Sequence, residues 1–133
     1  MSKFVLIDGH SILNRAFYGV PIFTNSEGLH TNAVFGFLNI MFKIIDSKQP
    51  DYMAVAFDVH QPTFRHEMFK DYKGTRKPMM EELREQVPVI KELLQKMNIT
   101  TVELPGYEAD DVIGTLSKKG EKAGMEVDVI SGD

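Results

Sequence analysis

Three short apolar runs constrain the fold of this chain more than any other feature. They are Phe4–Ile7, Met53–Phe57 and Val127–Ile130, the last broken only by Asp128. Apolar runs of this length between helical segments are typical of parallel strands that are buried on both faces. The sequence therefore predicts an α/β domain with a parallel sheet and helices on both faces.

Each apolar run leads directly to an aspartate. Asp8 and Asp58 follow the first two runs, and Asp133 closes the turn after the third. In open α/β sheets the ligand crevice lies beyond the carboxyl ends of the strands, so these side chains are expected to meet at one edge. A further acidic group precedes a helical pattern, where one or two acids would be enough to cap the helix. Its members are Glu108, Asp110 and Asp111.

The rest of the pattern predicts elements in the order β-α-β-α-α-β-α-β, in which the two helical segments between the first two strands count as one. Pro88 lies inside one helical pattern, so we expect a kink or break near Val87. The predicted strands are Lys3–Ile7, Tyr52–Phe57, Ile99–Leu104 and Glu126–Ile130. The predicted helices are a short one capped by Ser11, one from Thr31 or Asn32 to about Ser47, and the segments Thr63–Tyr72, Met79–Met97 and Glu108–Lys122.

Charge is distributed unevenly along the chain. The net charge is −4, yet residues 65–77 hold five Lys or Arg against two acids, which leaves −7 over the remainder. This predicts a basic crossover beside an acidic cleft. The absence of cysteine excludes disulfides and thiolate zinc sites. The sequence shows no signal-peptide layout and no apolar run that could span a bilayer, so the cytoplasm is the expected location.

Up to six carboxylates in one cleft would repel one another unless a divalent cation neutralised them. Oxygen donors without thiolates or paired histidines favour Mg²⁺ or Mn²⁺. Two such ions would suit in-line attack on a phosphodiester. In the basic crossover, Lys73 and Arg76 can neutralise phosphate charge, and Tyr72 or Phe64 could stack on unpaired bases.

Several of these residues have an ordinary structural alternative. Taken singly, Arg65 is more typical of solvated surface, and Phe64 fits a core position as well as a base platform. Arg15 could be a surface residue of the first helix. His10 follows Asp8 closely, but the histidines show no metal-ligand spacing, which disfavours a ligand role.

Six motifs follow one another in order along the chain: Val5–Gly9, Ala56–Asp58, Thr63–Arg65, Tyr72–Arg76, Tyr107–Gly114 and Ile130–Asp133. This series resembles the 5′→3′ exonuclease (flap endonuclease) domain at the N-terminus of bacterial DNA polymerase I. The resemblance implies a three-layer, PIN-like fold. It also implies two-metal cleavage of 5′ flaps or 5′ ends of DNA, including RNA primers, in replication and repair.

The resemblance also implies roles for individual positions. Lys73 resembles a lysine that supports phosphate hydrolysis, and Tyr72 and Arg76 resemble residues of a helical arch that receives the 5′ strand. This arch would lie around residues 60–78, and the nucleic-acid-binding residues would include Arg15, Arg65 and Phe64. The implied metal ligands are Asp8, Asp58, Glu108, Asp110, Asp111 and Asp133.

Two departures from the family pattern leave alternatives open. The family has a second aspartate two residues after the position of Asp133, and a downstream helix-hairpin-helix element that grips duplex DNA. Residues 1–133 are therefore expected to be the N-terminal part of a longer polypeptide, with an impaired second metal site and weak duplex binding. The alternatives are a PIN-type ribonuclease and a fragment that only folds or only binds DNA. A haloacid-dehalogenase-like phosphatase would need the motif Asp-x-Asp. In this chain the position of the second aspartate, two residues after Asp8, is occupied by His10.

Overall fold

The computed structural model describes residues 1–59 and 80–132. Within these parts, no helix is both long and apolar enough to cross a membrane. The predicted helix Thr63–Tyr72 lies outside the described residues. The strands are β1 (Lys3–Asp8), β2 (Tyr52–Ala56), β3 (Thr100–Val102) and β4 (Glu126–Ile130). The helices are α1 (Gly9–Gly19), α2 (Asn32–Lys48), α3 (Glu81–Arg84), α4 (Gln86–Lys96) and α5 (Ala109–Lys122).

The four strands of the described ranges form one parallel sheet in the order β3-β2-β1-β4. β1 is central, and its residues Val5, Leu6 and Ile7 are fully buried, which explains why the run has no polar alternation. Asp8 lies opposite Ala56 of β2, so the chain leaves both strands at the same edge. The parallel α/β prediction is confirmed.

Alternate residues of the central strands serve two cores on opposite faces of the sheet. Val5 and Ile7 belong to the larger core, which includes buried residues of α1, α2 and α4, such as Phe37 and Ile90. Leu6 belongs to a smaller core under α5. The side-chain period of two along a strand produces this division. Helices therefore cover both faces, as the sequence predicts.

On the smaller face, α5 lies unusually close to the sheet at Gly120. A Cβ at this position would lie 2.9 Å from Val127 Cγ2 and 3.2 Å from Phe4 Cδ2. Ala109 and Ile113 fill the same interface nearer the start of the helix. The missing side chain thus allows α5 to pack directly against β1 and β4.

The predicted break in the helical pattern after Met79 is confirmed. α3 ends at Arg84 and α4 begins at Gln86, with Glu85 between them. Pro88 is the third residue of α4, where the backbone has no intrahelical partner for an N–H group. The proline is therefore tolerated within the first turn, and the break falls just before it.

Two buried amide side chains join four helices at a site that we call the amide node (Asn32 and Gln86). Both residues are 0% exposed, and Gln86 Nε2 donates to Asn32 Oδ1 over 2.9 Å. Gln86 Oε1 accepts from two backbone amides in the first turn of α2, where Thr31 makes no side-chain cap. The node therefore caps α2 from a distant helix. Its backbone partners are the N–H groups of Ala33 and Val34 and the carbonyls of Glu82, Phe17 and Val20, at 2.7–3.1 Å.

Candidate active site

The carboxyl edge of the sheet brings together acids from three parts of the chain. We call Asp8, Asp58, Glu108 and Asp111 the carboxylate rim. Asp8 is the last residue of β1 and the N-cap of α1, since its Oδ1 accepts from the backbone N–H of Ser11 over 3.2 Å. The expectation that Ser11 would cap this helix is therefore wrong. The helix begins three residues earlier, with Asp8 rather than Ser11 as its N-cap, because the aspartate already occupies the cap position at the strand end.

Gly9 lets α1 start directly at the strand end. A Cβ on Gly9 would lie 2.6 Å from Phe57 Cε1 and 2.9 Å from the backbone oxygen of Ala56. The first turn of α1 therefore packs against the exit of β2. This contact places Asp8 and Asp58 on neighbouring strand exits.

Asp58 connects the exit of β2 to the start of α5. Its Oδ1 accepts from the backbone N–H of Ala109 over 2.6 Å, a short distance of the kind seen when an ionised acceptor meets a helix N-terminus. Ala109 is the first residue of α5. The two residues are 51 positions apart in the chain. This contact is what brings the acidic cluster of α5 to the strand-terminal aspartates.

Glu108 and Asp111 form a reciprocal capping box at the start of α5. The side chain of Asp111 accepts from the backbone N–H of Glu108 over 3.1 Å, and that of Glu108 accepts from the N–H of Asp111. Glu108 is only 3% exposed, although it is a carboxylate. Asp110 lies in the same turn and is exposed. Capping therefore uses two of the three acids, and its geometry holds both beside the sheet edge.

His10 takes part in the site more closely than its sequence context predicts. The backbone N–H of Asp58 donates to His10 Nδ1 over 3.1 Å, so the neutral ring carries its proton on Nε2. Asp58 Oδ2 lies 3.7 Å from the same nitrogen. The imidazole also meets the Phe57 ring edge-on, with centroids 5.4 Å apart. His10 thus orients the backbone that carries Asp58. The only sequence signal for this is its place two residues after Asp8.

The exit of β4 reaches the same edge through Ser11. Its Oγ accepts from the backbone N–H of Gly132 over 2.7 Å and lies 3.0 Å from Ser131 Oγ. A Cβ on Gly132 would lie 3.2 Å from Arg15 Cβ, so Arg15, which is exposed, borders this exit. The chain up to Gly132 therefore leaves β4 at this edge. Asp133 itself lies outside the described residues.

The remaining predicted site residues also lie outside the described ranges. They are Phe64, Arg65, Tyr72, Lys73 and Arg76. Their roles stay predictions from the sequence.

The donor chemistry of the carboxylate rim fits a hard divalent cation, because it offers carboxylate oxygens and no sulfur. One oxygen each of Asp8, Asp58 and Asp111 is engaged by a backbone N–H. An ionised carboxylate has about four lone-pair sites, so such a contact is compatible with metal coordination. Within residues 1–59 and 80–132, no three His, Asp or Glu side chains are arranged as a ready-made metal site. Of the six predicted ligands, five lie within these ranges and Asp133 lies outside them.

Fold and site together define a class: a PIN-like α/β domain whose parallel sheet ends in an acidic edge. The sequence matches the family described as 5′-3′ exonuclease, N-terminal resolvase-like domain, over residues 3–133. The chain belongs to this family.

Among curated proteins, the chain is 52% identical over 131 residues to DNA polymerase I of Bacillus subtilis (strain 168), covering 98% of this chain and 15% of that protein. It is 41% identical over 133 residues to a 5′-3′ exonuclease of Aquifex aeolicus (strain VF5), covering 100% of this chain and 46% of that protein. The chain therefore spans 15% to 46% of the length of these relatives.

Among solved structures, the fold is similar to that of T5 5′-exonuclease with bound zinc, with a TM-score of 0.72 and 24% identity. That match covers 98% of this chain and 49% of the T5 chain. A complex of the T5 D15 flap endonuclease (D155K) with DNA and metal ions has a TM-score of 0.69, also at 24% identity, and covers the same shares of both chains. At this level of identity the likeness concerns the fold.

Proposed function

We propose that this chain forms the metal-binding part of a nuclease domain that hydrolyses DNA phosphodiester bonds at 5′ flaps or 5′ ends. The observation that carries the proposal is the contact between Asp58 and the N-terminus of α5, which joins the acids of β1, β2 and α5 in one rim. Membership of the 5′-3′ exonuclease family supports this reading. The biological role would be primer removal and repair, within a polypeptide of the DNA polymerase I type that acts in the bacterial cytoplasm.

The proposed cofactor is Mg²⁺ or Mn²⁺, with two ions per site. The similarity in fold to T5 proteins solved with metal ions supports a metal requirement. Asp8, Asp58, Glu108 and Asp111 would hold the ions, together with Asp110 and Asp133. A bound divalent cation would neutralise the phosphate and activate water.

The described side chains have positioning roles that follow from their contacts. The capping box holds Asp111 against the start of α5, which fixes its carboxylate before any ligand binds. His10 holds the backbone at Asp58, and the amide of Ala109 holds one carboxylate oxygen of the same residue. Such preorganisation limits the reorganisation that a charged substrate would otherwise impose.

The substrate-binding part of the proposal concerns the basic crossover. Lys73 would support hydrolysis, and Arg76, Arg65 and Arg15 would bind phosphates. Tyr72 and Phe64 would stack on bases of the 5′ strand. The proposed partners are DNA with 5′ flaps or 5′ ends, RNA primers on DNA, and the remainder of the polypeptide, including its helix-hairpin-helix and polymerase parts.

The direct test is cleavage of a labelled 5′-flap DNA by the full-length protein, with Mg²⁺ and with EDTA. We expect cleavage only with the metal. Asp111→Asn should lower the rate by about 100-fold, since the change removes a ligand charge while its amide oxygen can still cap the helix. Asp46→Asn on the exposed side of α2 is the matched control and should keep the wild-type rate.

Calorimetric titration with Mn²⁺ separates metal binding from later steps. The wild-type protein should bind Mn²⁺, and Asp111→Asn should bind it more weakly. Cleavage that persists in EDTA, or equal rates for Asp111→Asn and Asp46→Asn, would overturn the proposal. Cleavage of single-stranded RNA in preference to flap DNA would replace it with a ribonuclease assignment.

A further inference from the structure

A second feature of the sheet edge is a cavity of about 530 Å³ directly beside the carboxylate rim. Its lining includes Asp58, His10, Arg84 and Lys91. These four residues supply two permanent cations and one carboxylate. The cavity is therefore the basic neighbour of an acidic site, within a chain whose overall charge is negative.

Lys91 is held in place at this cavity rather than left to solvent. Its Nζ lies 3.1 Å from Glu103 Oε2 and 5.3 Å from the centroid of the Phe57 ring. Its side chain is 23% exposed, whereas Lys96 on the same helix is 71% exposed and pairs with Glu92 within that helix. A cation that is already ordered loses less side-chain entropy when it binds an anion.

Both acidic partners of the two cations are more exposed than a buried ion pair would require. Glu103 is 42% exposed, and such pairs contribute little net stability in water. Arg84 approaches Glu81 only to 4.0 Å, at the limit of an ion pair, and is itself half-exposed. A phosphate could therefore displace either carboxylate at small cost. The guanidinium of Arg84 offers a planar set of donors suited to phosphate.

We propose that this cavity, which we call the Arg84–Lys91 pocket, binds a phosphate of the nucleic-acid strand next to the phosphate that is cleaved. The inference rests on the proposed nuclease function, because the acids of the rim would repel every phosphate not neutralised by a cation. Lys91 and Arg84 bind the phosphate, and neither takes part in bond cleavage. The ligand is a phosphate, either internal or at the 5′ terminus of the strand.

The test measures how the affinity for labelled flap DNA depends on salt, in EDTA, with the full-length protein. Each phosphate neutralised by a cationic side chain contributes roughly 0.7–0.9 to the slope of log K against log[salt]. Lys91→Gln should lower the slope by about this amount and weaken binding by about fivefold to tenfold near 0.1 M salt. Arg84→Gln, at an exposed position that does not affect folding of the core, should act in the same direction.

The exposed pair Lys96–Glu92 supplies matched controls on the same helix. Lys96→Gln removes the same charge and should leave the slope unchanged. Glu103→Gln should tighten binding because it releases Lys91, and this gain should disappear when Lys91→Gln is also present. Glu92→Gln should give no such gain. A purely structural role for Lys91 would instead make Glu103→Gln neutral or harmful.

Substrates with a 5′-phosphate and with a 5′-hydroxyl distinguish the two sources of phosphate. If the loss in Lys91→Gln occurs only with the 5′-phosphate, the pocket holds the terminal group. If it occurs with both, the pocket holds an internal diester, and either result supports the proposal. Equal salt slopes for the wild type, Lys91→Gln and Arg84→Gln would refute phosphate binding by the Arg84–Lys91 pocket. If the wild type still cleaves flap DNA in that case, the proposed nuclease function stands. A wild type that neither binds nor cleaves flap DNA would instead refute the function itself.

Discussion

The amide node and the carboxylate rim use the same device for different ends. In each, a polar side chain accepts hydrogen bonds from backbone N–H groups at a helix N-terminus. Gln86 caps α2 from a distant helix, and the capping box of Glu108 and Asp111 caps α5 from within its own first turn. The two sites differ in charge. The node contains only neutral amides, whereas the rim gathers carboxylates.

Because of this difference in charge, we assign a structural role to the amide node and a functional role to the carboxylate rim. A neutral amide with internal partners stabilises the folded state without any ligand, because its hydrogen bonds replace those lost to water. Clustered carboxylates repel one another, and that repulsion favours binding of a cation. We therefore expect substitutions in the node to lower stability and conservative substitutions in the rim to lower activity.

The largest expected effect on stability tests the node. Gln86→Ala should lower the free energy of unfolding by about 2–4 kcal/mol, because it leaves the buried N–H groups of Ala33 and Val34 without their acceptor. Urea denaturation measures the change. Gln95→Ala, on the exposed side of the same helix, should alter stability by less than about 0.5 kcal/mol. Cleavage per folded molecule should stay at the wild-type level, and a specific loss of activity in folded Gln86→Ala would break the comparison.

An intermediate effect is expected at the backbone contact that supports the rim. Gly9→Ala would place a methyl group 2.9 Å from the backbone oxygen of Ala56, which cannot move aside as a side chain can. We expect a loss of about 1–3 kcal/mol in the free energy of unfolding.

Gly19→Ala is the matched control at the other end of α1. Among residues 1–59 and 80–132, no atom beyond its own helical backbone and chain neighbours lies within 4 Å of the added Cβ, and the change should be neutral or slightly stabilising. Similar thermal denaturation midpoints for the two variants would show that α1 does not need the close approach at Gly9.

The smallest effect is expected at the ion pair of His30 and Glu85, which joins the elements of the node near the surface. The backbone N–H of His30 donates to Glu85, and this hydrogen bond, with that to the imidazole, holds the pKa of the carboxyl below its ordinary value of 4.5. Because the folded-state pKa is lowered, the contribution of ionised Glu85 is present above pH 4.5 and is lost as the pH falls through the lowered pKa.

Glu85→Gln should therefore differ from wild type more at about pH 7 than at about pH 3. Chemical denaturation at both values measures this difference. Glu121→Gln, at an exposed position of α5, removes the same charge away from His30 and is the matched control. If the difference in the free energy of unfolding between wild type and Glu85→Gln grew as the pH fell, ionised Glu85 would not be the source of this stability.

Much of this fold can be predicted from the sequence because apolar runs, prolines and helix-capping residues act over a few neighbouring positions. The run Val5–Ile7 indicates a strand buried on both faces, and Pro88 indicates a break, which occurs at Glu85. The sequence also places three acids, Glu108, Asp110 and Asp111, at the start of α5, which is more than helix capping requires. Two of the three form the capping box, and Asp110 remains exposed.

The candidate site could be predicted only in part. The sequence identifies Asp8, Asp58, Glu108 and Asp111 as acids of one edge, since parallel strands end together. It does not identify His10 as the acceptor for the backbone of Asp58, or Lys91 as a cation beside it. These contacts join residues that no periodicity relates.

Among the described residues, the sequence by itself determined which segments become strands and helices, the parallel order of the strands, and the acidic character of the strand exits. These properties depend on side-chain period, run length and capping residues within a few positions of one another. Only the tertiary structure decided that Asp58 binds the N-terminus of α5, 51 residues away, and that Gln86 caps α2. Such contacts depend on how distant elements pack, because that packing decides which helix end lies within hydrogen-bond reach of which side chain.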